Sequence, residues 1–266
     1  MRKLLVVPMA VVGLALMTAC PSTTTMGLAR TMDQGHGQFV VSPSLSNAWL
    51  TAGTGGLPLP QIEVAARYGL TDNFELGTKA WFLGAQLEGK LGLIRSDGYS
   101  GIDVAVNPSV GYHSPNAALG NALSVTALSL PVLVGFNLAG HQLVIGPKVV
   151  DHIHGGYTGS NLGTDGHILY VGSSIGFALK LSESFRILPE ASAISPVANS
   201  TGMNAGTLYQ FSLGFMFGGY SDRPRRRPQV PREESRPREE VTPRQEVTPR
   251  QEPAPDDTRP EDLVVP

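Results

Sequence analysis

The sequence predicts an all-β fold: an up-and-down antiparallel transmembrane β-barrel of about ten strands, followed by a disordered C-terminal tail. Three observations predict it. Residues 39–217 alternate between apolar and polar side chains, in segments close to the roughly 9–11 residues that a tilted strand needs to cross a bilayer. Short turns and longer loops alternate between these segments, and charged residues are scarce throughout them.

The charge of this 266-residue chain is concentrated at its C-terminal end. Charged residues make up 16% of the sequence, against about a quarter in an average soluble domain. Residues 221–266 hold 21 of the 42 charged residues and 10 of the 21 prolines. The net charge of −2 and the single cysteine argue against a nucleic-acid-binding domain and against a disulfide scaffold.

The N-terminal residues have the pattern of a secretory signal peptide. Arg2 and Lys3 precede an apolar run over residues 4–17. This run is too short for the ~20 residues of a membrane-spanning helix. We therefore expect residues 1–19 to be a signal peptide.

The motif Met17-Thr18-Ala19-Cys20 resembles the lipobox of bacterial lipoproteins. The resemblance implies that Cys20 carries a covalent lipid, and no other cofactor is expected. Residues 20–38 are rich in Ser, Thr and Gly and are predicted to be a lipidated N-terminal tether. An ordinary secreted protein with a chance cysteine is the alternative.

Each predicted strand has one apolar and one polar face. In residues 61–69, Ile62 and Val64 lie on one face and Glu63 and Arg67 on the other. A balanced set of charges in a barrel of about ten strands favours a filled interior over a wide selective channel. We predict an ionic network in the lumen from the charged residues of the polar faces: Glu63, Arg67, Glu75, Lys79, Glu88, Lys90, Asp103, Lys148, Arg186 and Glu190.

The connections between the predicted strands indicate the topology. Longer loops occur at residues 50–60, 113–121, 151–166 and 197–206, with one short exception near Leu83. Short turns occur near residues 70–73, 95–98, 138–141 and 182–184. In membrane barrels the short turns face the periplasm. An even number of strands then places the lipid anchor and the tail on the periplasmic side.

Two segments resemble bacterial outer-membrane β-barrel proteins. Residues 67–77, Arg-Tyr-Gly-Leu-Thr-Asp-Asn-Phe-Glu-Leu-Gly, are similar to a common hairpin of small barrels. Residues 210–217 are similar to the last strand that the barrel-insertion machinery reads, with Gln210, Phe215 and Phe217 as the signal. The resemblance implies an outer-membrane location, with outer-membrane lipid and the barrel-insertion and lipoprotein-processing machineries as partners.

A soluble, lipid-anchored β-sandwich or a lipocalin-like barrel would show the same alternation with its apolar face turned inward. Aromatic residues near strand ends, among them Tyr68 and Phe82, favour the membrane barrel. Prolines inside the predicted strands are contrary evidence, because each removes a hydrogen bond of the ladder. We expect these prolines to form bulges: Pro43, Pro108, Pro131, Pro147 and Pro189.

Residues 218–266 are predicted to be a disordered periplasmic tail rich in Pro, Arg and Glu. From Ser221 onward the chain has no aromatic residue, and the hexapeptide at 240–245 repeats at 246–251. Such a chain cannot bury a core. Either it binds a periplasmic protein or peptidoglycan, or it is a solvated spacer.

These features predict a non-enzymatic lipoprotein that serves as a structural or docking component of an envelope-spanning assembly for secretion, polysaccharide export or motility. A small porin-like channel is one alternative. A barrel enzyme that modifies outer-membrane lipid is another, since His152, His154 and His167 lie near one predicted loop. Their spacing is a weak metal signal, so we assign no catalytic residue and no metal.

Overall fold

The computed structural model describes residues 22–47, 58–96, 100–114, 124–155, 166–202 and 205–219. The chain divides into two units, residues 1–225 and residues 226–266, and all the described residues belong to the first. No helix among the described residues is long and apolar enough to cross a membrane. The strands in the described part of the chain are β1 (Gly37–Asn47), β2 (Pro58–Thr71), β3 (Phe74–Trp81), β4 (Gly84–Ile94), β5 (Ser100–Val106), β6 (Ser109–His113), β7 (Ser124–Leu138), β8 (His141–Gly155), β9 (Gly166–Ser182), β10 (Phe185–Asn199) and β11 (Leu208–Gly218).

These strands form one closed antiparallel sheet. Consecutive wall positions pair with each other, and β1 pairs with β11 to complete the cylinder. Both β5 and β6 pair with β4 on one side and with β7 on the other, so they are two halves of one wall strand. The wall therefore has ten strand positions, and the predicted all-β barrel of about ten strands is confirmed.

The break between β5 and β6 falls at Asn107 and Pro108. The N–H of Gly89 donates to the carbonyl of Pro108 at 3.0 Å. Proline has no N–H with which to complete the second hydrogen bond of this pair. The pairing with β4 and β7 keeps one register on both sides of the break. Pro108 thus interrupts the ladder without displacing the strand.

The expectation that the strand prolines form bulges is wrong. Pro43 pairs with Ile62 and Pro147 pairs with Ser173, each in an uninterrupted register. A strand residue directs its N–H toward only one neighbouring strand, so a proline costs one hydrogen bond and need not shift the pairing. The register shifts lie outside the five predicted positions, within residues 69–71, 92–94, 185–186 and 196–198, and the last of them begins at a sixth strand proline, Pro196.

The two ends of the barrel differ. At one end, here called the turn end, two-residue turns join β2 to β3, β7 to β8 and β9 to β10, and residues 95–99 join β4 to β5. At the opposite end, the loop end, a short turn at 82–83 accompanies the longer connections at 48–57, 114–123, 156–165 and 200–207. This arrangement confirms the predicted alternation of short turns and long loops. β1 begins and β11 ends at the turn end.

Apolar side chains cover the outside of the barrel, and charged side chains point inward. Leu87, Ile62 and Phe211 are 64%, 63% and 61% exposed, whereas Glu63 and Asp103 are fully buried. A soluble sandwich or lipocalin-like barrel would bury the apolar side chains and expose the charged ones. The observed arrangement is that of a membrane-spanning barrel of the outer-membrane type, whose apolar band is covered by lipid.

Candidate functional site in the barrel lumen

Residues 22–33, here called the plug segment, lie inside the barrel. Residues 23–32 are all buried and form neither helix nor strand. The sequence predicts a lipidated tether over residues 20–38, and the structure corrects this for the described part: residues 22–33 fill the lumen, and Gly37 already begins β1. The physical reason is that buried lumen charges need polar partners, and an irregular backbone supplies them.

Two charged side chains of the wall, Arg67 and Glu190, bind the backbone of the plug segment and are here called the backbone clamp. The Glu190 carboxylate accepts the N–H groups of Thr25 at 2.7 Å and of Met26 at 2.9 Å. The Arg67 guanidinium donates to the carbonyls of the same two residues, at 2.9 Å and 2.7 Å. One peptide unit and its neighbours are therefore held from both sides by charged groups.

The backbone conformation at the clamp explains how one carboxylate accepts two consecutive N–H groups. Met26 has a positive φ of 49°. A left-handed residue turns successive N–H groups toward the same side, which forms a concave anion site. A non-glycine residue in this region is sparsely populated and costs about 1–3 kcal/mol. The four charged hydrogen bonds of the clamp offset that cost.

Further wall side chains bind the backbone along the rest of the segment. Gln142 accepts from the N–H of Ala29, and Glu75 accepts from the N–H of Met32, both at 2.9 Å. Lys79 donates to the carbonyl of Thr24 at 2.7 Å, and Lys148 donates to the carbonyl of Thr23. The lumen thus recognises main-chain groups over most of the plug segment.

All ten residues of the predicted ionic network lie in the lumen, and each is at most 5% exposed. Among the described residues, direct ion pairs join only two sets of these ten: Arg67 with Glu88 at 2.6 Å, and Lys90 with Glu75 at 2.5 Å. The hydrogen bonds described for Glu63, Lys79, Asp103, Lys148 and Glu190 all involve neutral groups. Asp103, for example, accepts from Ser96 and Gln142. Neutral partners, including the plug backbone, therefore satisfy much of the buried charge.

Apolar side chains of the plug segment form a small core inside the lumen. The absence of a side chain at Gly135 lets Ala29 lie close to the wall, because a Cβ at position 135 would lie 2.8 Å from the Cβ of Ala29. The plug segment is therefore held both by hydrogen bonds and by close apolar packing of the kind found in protein cores. The apolar cluster comprises Met26, Leu28, Ala29, Met32, Val40, Ala65, Leu133, Val144, Ala178, Leu188 and Met216.

The plug segment runs along the barrel toward the turn end. The hydroxyl of Ser22 donates to Glu63 at 2.9 Å and accepts from Lys79 at 2.8 Å; Lys79 lies two residues from the loop end of β3. At the other extreme, Thr31 donates to the carbonyl of Asp72 in the β2–β3 turn at 2.7 Å. Residues 34–36 are exposed and lead into β1.

A small cavity remains beside the plug segment. It has a volume of about 30 Å³, lies next to residues 22–25 and is also lined by Glu88, Lys148 and His152. A cavity of this size admits about two water molecules. The balanced charges predicted a filled interior, and residues 23–32 are all buried inside the described part of the barrel.

The candidate histidines are divided between two faces. His152 and His154 point into the barrel near the loop end, with ring centroids 6.4 Å apart, and His152 lies 5.9 Å from His113. His167 instead is exposed and lies 3.2 Å from Asp151. Within the described ranges, no group of three or more His, Cys, Asp or Glu residues could hold a metal ion.

The residues of the predicted insertion signal take both faces of β11. Phe217 lies on the outer face against Phe185, with centroids 5.1 Å apart, and Phe215 is also on the outer face. Gln210 is fully buried and accepts the N–H of Thr23 at 2.6 Å. The predicted acylation site Cys20 and the tail after Gly219 lie outside the described residues.

Sequence reasoning missed the residues of the plug segment. The runs of Ser and Thr at 22–25 are typical of linkers, and the segment has no period of two or 3.6. The available signal was the apolar content that follows, Met26, Leu28, Ala29 and Met32, because a solvated tether has no need of it.

No protein-family model matches this chain, and no curated protein sequence matches it. Solved structures with a similar fold include Neisserial surface protein A (8% identity, 68% of this chain and 95% of that one, TM-score 0.38). Another is the translocator domain of the autotransporter NalP from Neisseria meningitidis, which is 12% identical, with 69% of this chain and 88% of that one covered and a TM-score of 0.38. At these identities the likeness concerns the barrel fold alone.

A third similar structure corrects one expectation. The outer membrane protease OmpT from Escherichia coli is similar over 74% of this chain and 100% of its own, at 9% identity and a TM-score of 0.34. Barrels of this general type therefore include an enzyme. The expectation that this chain is non-enzymatic is wrong as a conclusion from its fold.

Proposed function

We propose that this protein is a closed, self-plugged barrel of the bacterial outer membrane that serves as a structural or docking component of an envelope assembly. The observation that carries the proposal is the occupied lumen. The plug segment is buried and bonded to the wall through Arg67, Glu190, Gln142 and Glu75. A barrel filled in this way anchors the chain in lipid without providing a route for solutes.

The orientation follows from the connections. Short turns face the periplasm in barrels of this kind, so the turn end is the periplasmic end. β11 ends there, and the chain continues into the charged, proline-rich residues 221–266. We assign docking to this tail, with a periplasmic protein or peptidoglycan as its partner.

The proposed lipid on Cys20 is constrained by the plug segment. Cys20 precedes Ser22 by two residues, and two residues span at most about 7 Å. Ser22 is bonded to Glu63 and Lys79 inside the closed wall. A lipid on Cys20 that inserts into the periplasmic leaflet therefore requires the plug segment to leave the lumen. We propose lipid anchoring and plugging as alternative states of the N-terminal residues.

Two measurements test the proposal. In planar bilayers, we expect the full-length protein to show no steady conductance, and an open pore in the intact protein would contradict the plugged state. In mild detergent, we expect a cell-envelope partner to co-purify with the full-length protein and to be lost when residues 226–266 are removed. Equal recovery of partners with and without these residues would contradict docking through the tail.

A further inference from the structure

We propose that the lumen is a binding site for a polypeptide backbone, able to take a non-helical segment of about ten residues from another chain when the plug segment is absent. The ligand class is an irregular peptide with hydroxyl side chains at its first positions and mainly apolar ones after them. This goes beyond the proposed function, because a passive plug requires no exchangeable site.

The first argument is the nature of the recognised groups. The wall binds the N–H groups of residues 23, 25, 26, 29 and 32 and the carbonyls of residues 23, 24, 25 and 26. Every peptide presents these groups. The side-chain hydrogen bonds made by residues 23–25 come from threonine hydroxyls, as in Thr25 to Glu190 at 2.9 Å. Recognition therefore depends chiefly on backbone conformation.

The second argument is the allocation of buried charge. The hydrogen bonds described for Glu190, Lys79 and Lys148 all go to plug residues. A lumen built only to be filled would pair its acids with its bases, because an unpartnered buried charge is costly. These three side chains are instead complementary to a peptide, and they lie on different wall strands, β10, β3 and β8.

The third argument is that the plug segment is separable from the wall. It contributes no strand to the sheet, and its only covalent link to the barrel among the described residues is the turn at 34–36. These three residues are exposed at the turn end. Removal of the segment would leave every strand pairing of the barrel in place.

The test cuts this link after folding, so that the barrel assembles with its plug in place. A specific protease site is inserted at Gly35 of the full-length protein, and the purified protein is cleaved in detergent. Mass spectrometry then shows whether the released N-terminal fragment stays bound. A labelled synthetic peptide of residues 22–33 is added to the cut and to the uncut protein, and its binding is followed by fluorescence anisotropy.

We expect saturable binding of the labelled peptide to the cut barrel once the N-terminal fragment has left or been displaced, and no binding to the uncut barrel. Peptide binding while the fragment stays in place would contradict the proposal. A fragment that stays bound through washing and is displaced by excess peptide supports the proposal. A fragment that leaves without any rebinding of peptide overturns it, as does equal binding to the uncut protein. Neither outcome depends on whether the tail docks a partner.

Modified peptides distinguish backbone recognition from nonspecific adsorption. Methylation of the backbone nitrogens of Met26 and Ala29 removes two N–H donors that bind Glu190 and Gln142. We expect at least a tenfold loss of affinity. Methylation at Leu28 is the matched control, since no hydrogen bond from its N–H is found among the described residues. Equal effects of the two modifications would contradict recognition through the backbone.

Discussion

At the scale of single residues, the lumen shows why a charged side chain can be retained inside a narrow barrel. Glu190 is 5% exposed and has two consecutive N–H groups and one hydroxyl as donors. An ionised carboxylate that accepts three hydrogen bonds is well satisfied without a cation. The charge is therefore specific for the plug segment, and its removal should affect the plug before it affects the wall.

Glu190→Gln tests this directly. The amide keeps the shape of the side chain but replaces one acceptor oxygen by a donor, which faces an N–H of the plug. We expect a cost of about 1–3 kcal/mol for plug binding. The measurement is tryptic cleavage after Arg30, which is buried in the plug segment and is 7% exposed. Cleavage should be faster by on the order of tenfold to a hundredfold.

The matched control is Glu183→Gln, the same substitution at an exposed turn position that is bonded to Lys180. We expect cleavage after Arg30 at the wild-type rate in this variant, because exposed ion pairs contribute little. Unchanged cleavage in Glu190→Gln would show that the clamp does not hold the plug segment.

The sequence predicted the direction of the lumen side chains well. The period of two in residues 61–69 sufficed to turn Glu63 and Arg67 inward, and both are buried. Their partners could be predicted only in part. Arg67 pairs with Glu88, another residue of the predicted ionic network, but two of its other hydrogen bonds go to backbone carbonyls more than 40 positions earlier in the chain. A backbone group has no signature in the sequence.

At the scale of elements, hairpin turns hold the register of the wall. The β7–β8 turn consists of Ala139 and Gly140, with φ of 53° and 89°. Positive φ at both positions is characteristic of a type I′ turn, which suits the twist of two paired strands. Glycine accommodates this at the second position, whereas alanine at the first is strained.

Ala139→Asn is expected to stabilise the barrel by about 0.5–1 kcal/mol, because Asn-Gly is the favoured pair for this turn. Ala139 is exposed, so the substitution changes no buried contact. Gly140→Ala should destabilise the barrel, by about 1–3 kcal/mol. Urea unfolding of the protein in lipid vesicles measures both, and shifts of the same sign would contradict the assigned turn geometry.

Elements with a strict period were predictable from the sequence, and the irregular one was not. The strands and the placement of the long loops follow from the alternation and from Gly- and Asp-containing turns. The plug segment has no local propensity of its own, since its conformation depends on wall residues up to 187 positions away, such as Gln210. Sequence patterns report local structure, so they do not reveal a segment of this kind.

At the scale of the whole molecule, the outward apolar face distinguishes a membrane barrel from a soluble one. Ile175 lies near the middle of β9 on this face and is 52% exposed. In water, an exposed isoleucine can be replaced by lysine at little cost. In a bilayer, a lysine at the midplane costs about 2–4 kcal/mol.

Ile175→Lys should therefore destabilise the folded protein by about 2–4 kcal/mol in lipid vesicles. Ser184→Lys, at the exposed β9–β10 turn, is the control and should change stability by no more than about 0.5 kcal/mol. The readout is the temperature at which the compact band on a detergent gel converts to the unfolded one. Equal stability of the two variants would indicate that Ile175 faces water.

The most direct test of the occupied lumen is amide hydrogen exchange of the full-length protein in detergent. The N–H groups of Met26, Ala29 and Met32 donate to buried wall side chains. We predict that they exchange far more slowly than the amides of an unfolded chain, because each is exposed only when the plug segment leaves the lumen. Exchange of these three amides at the rate of an unfolded chain, with the wall strands still protected, would contradict the account.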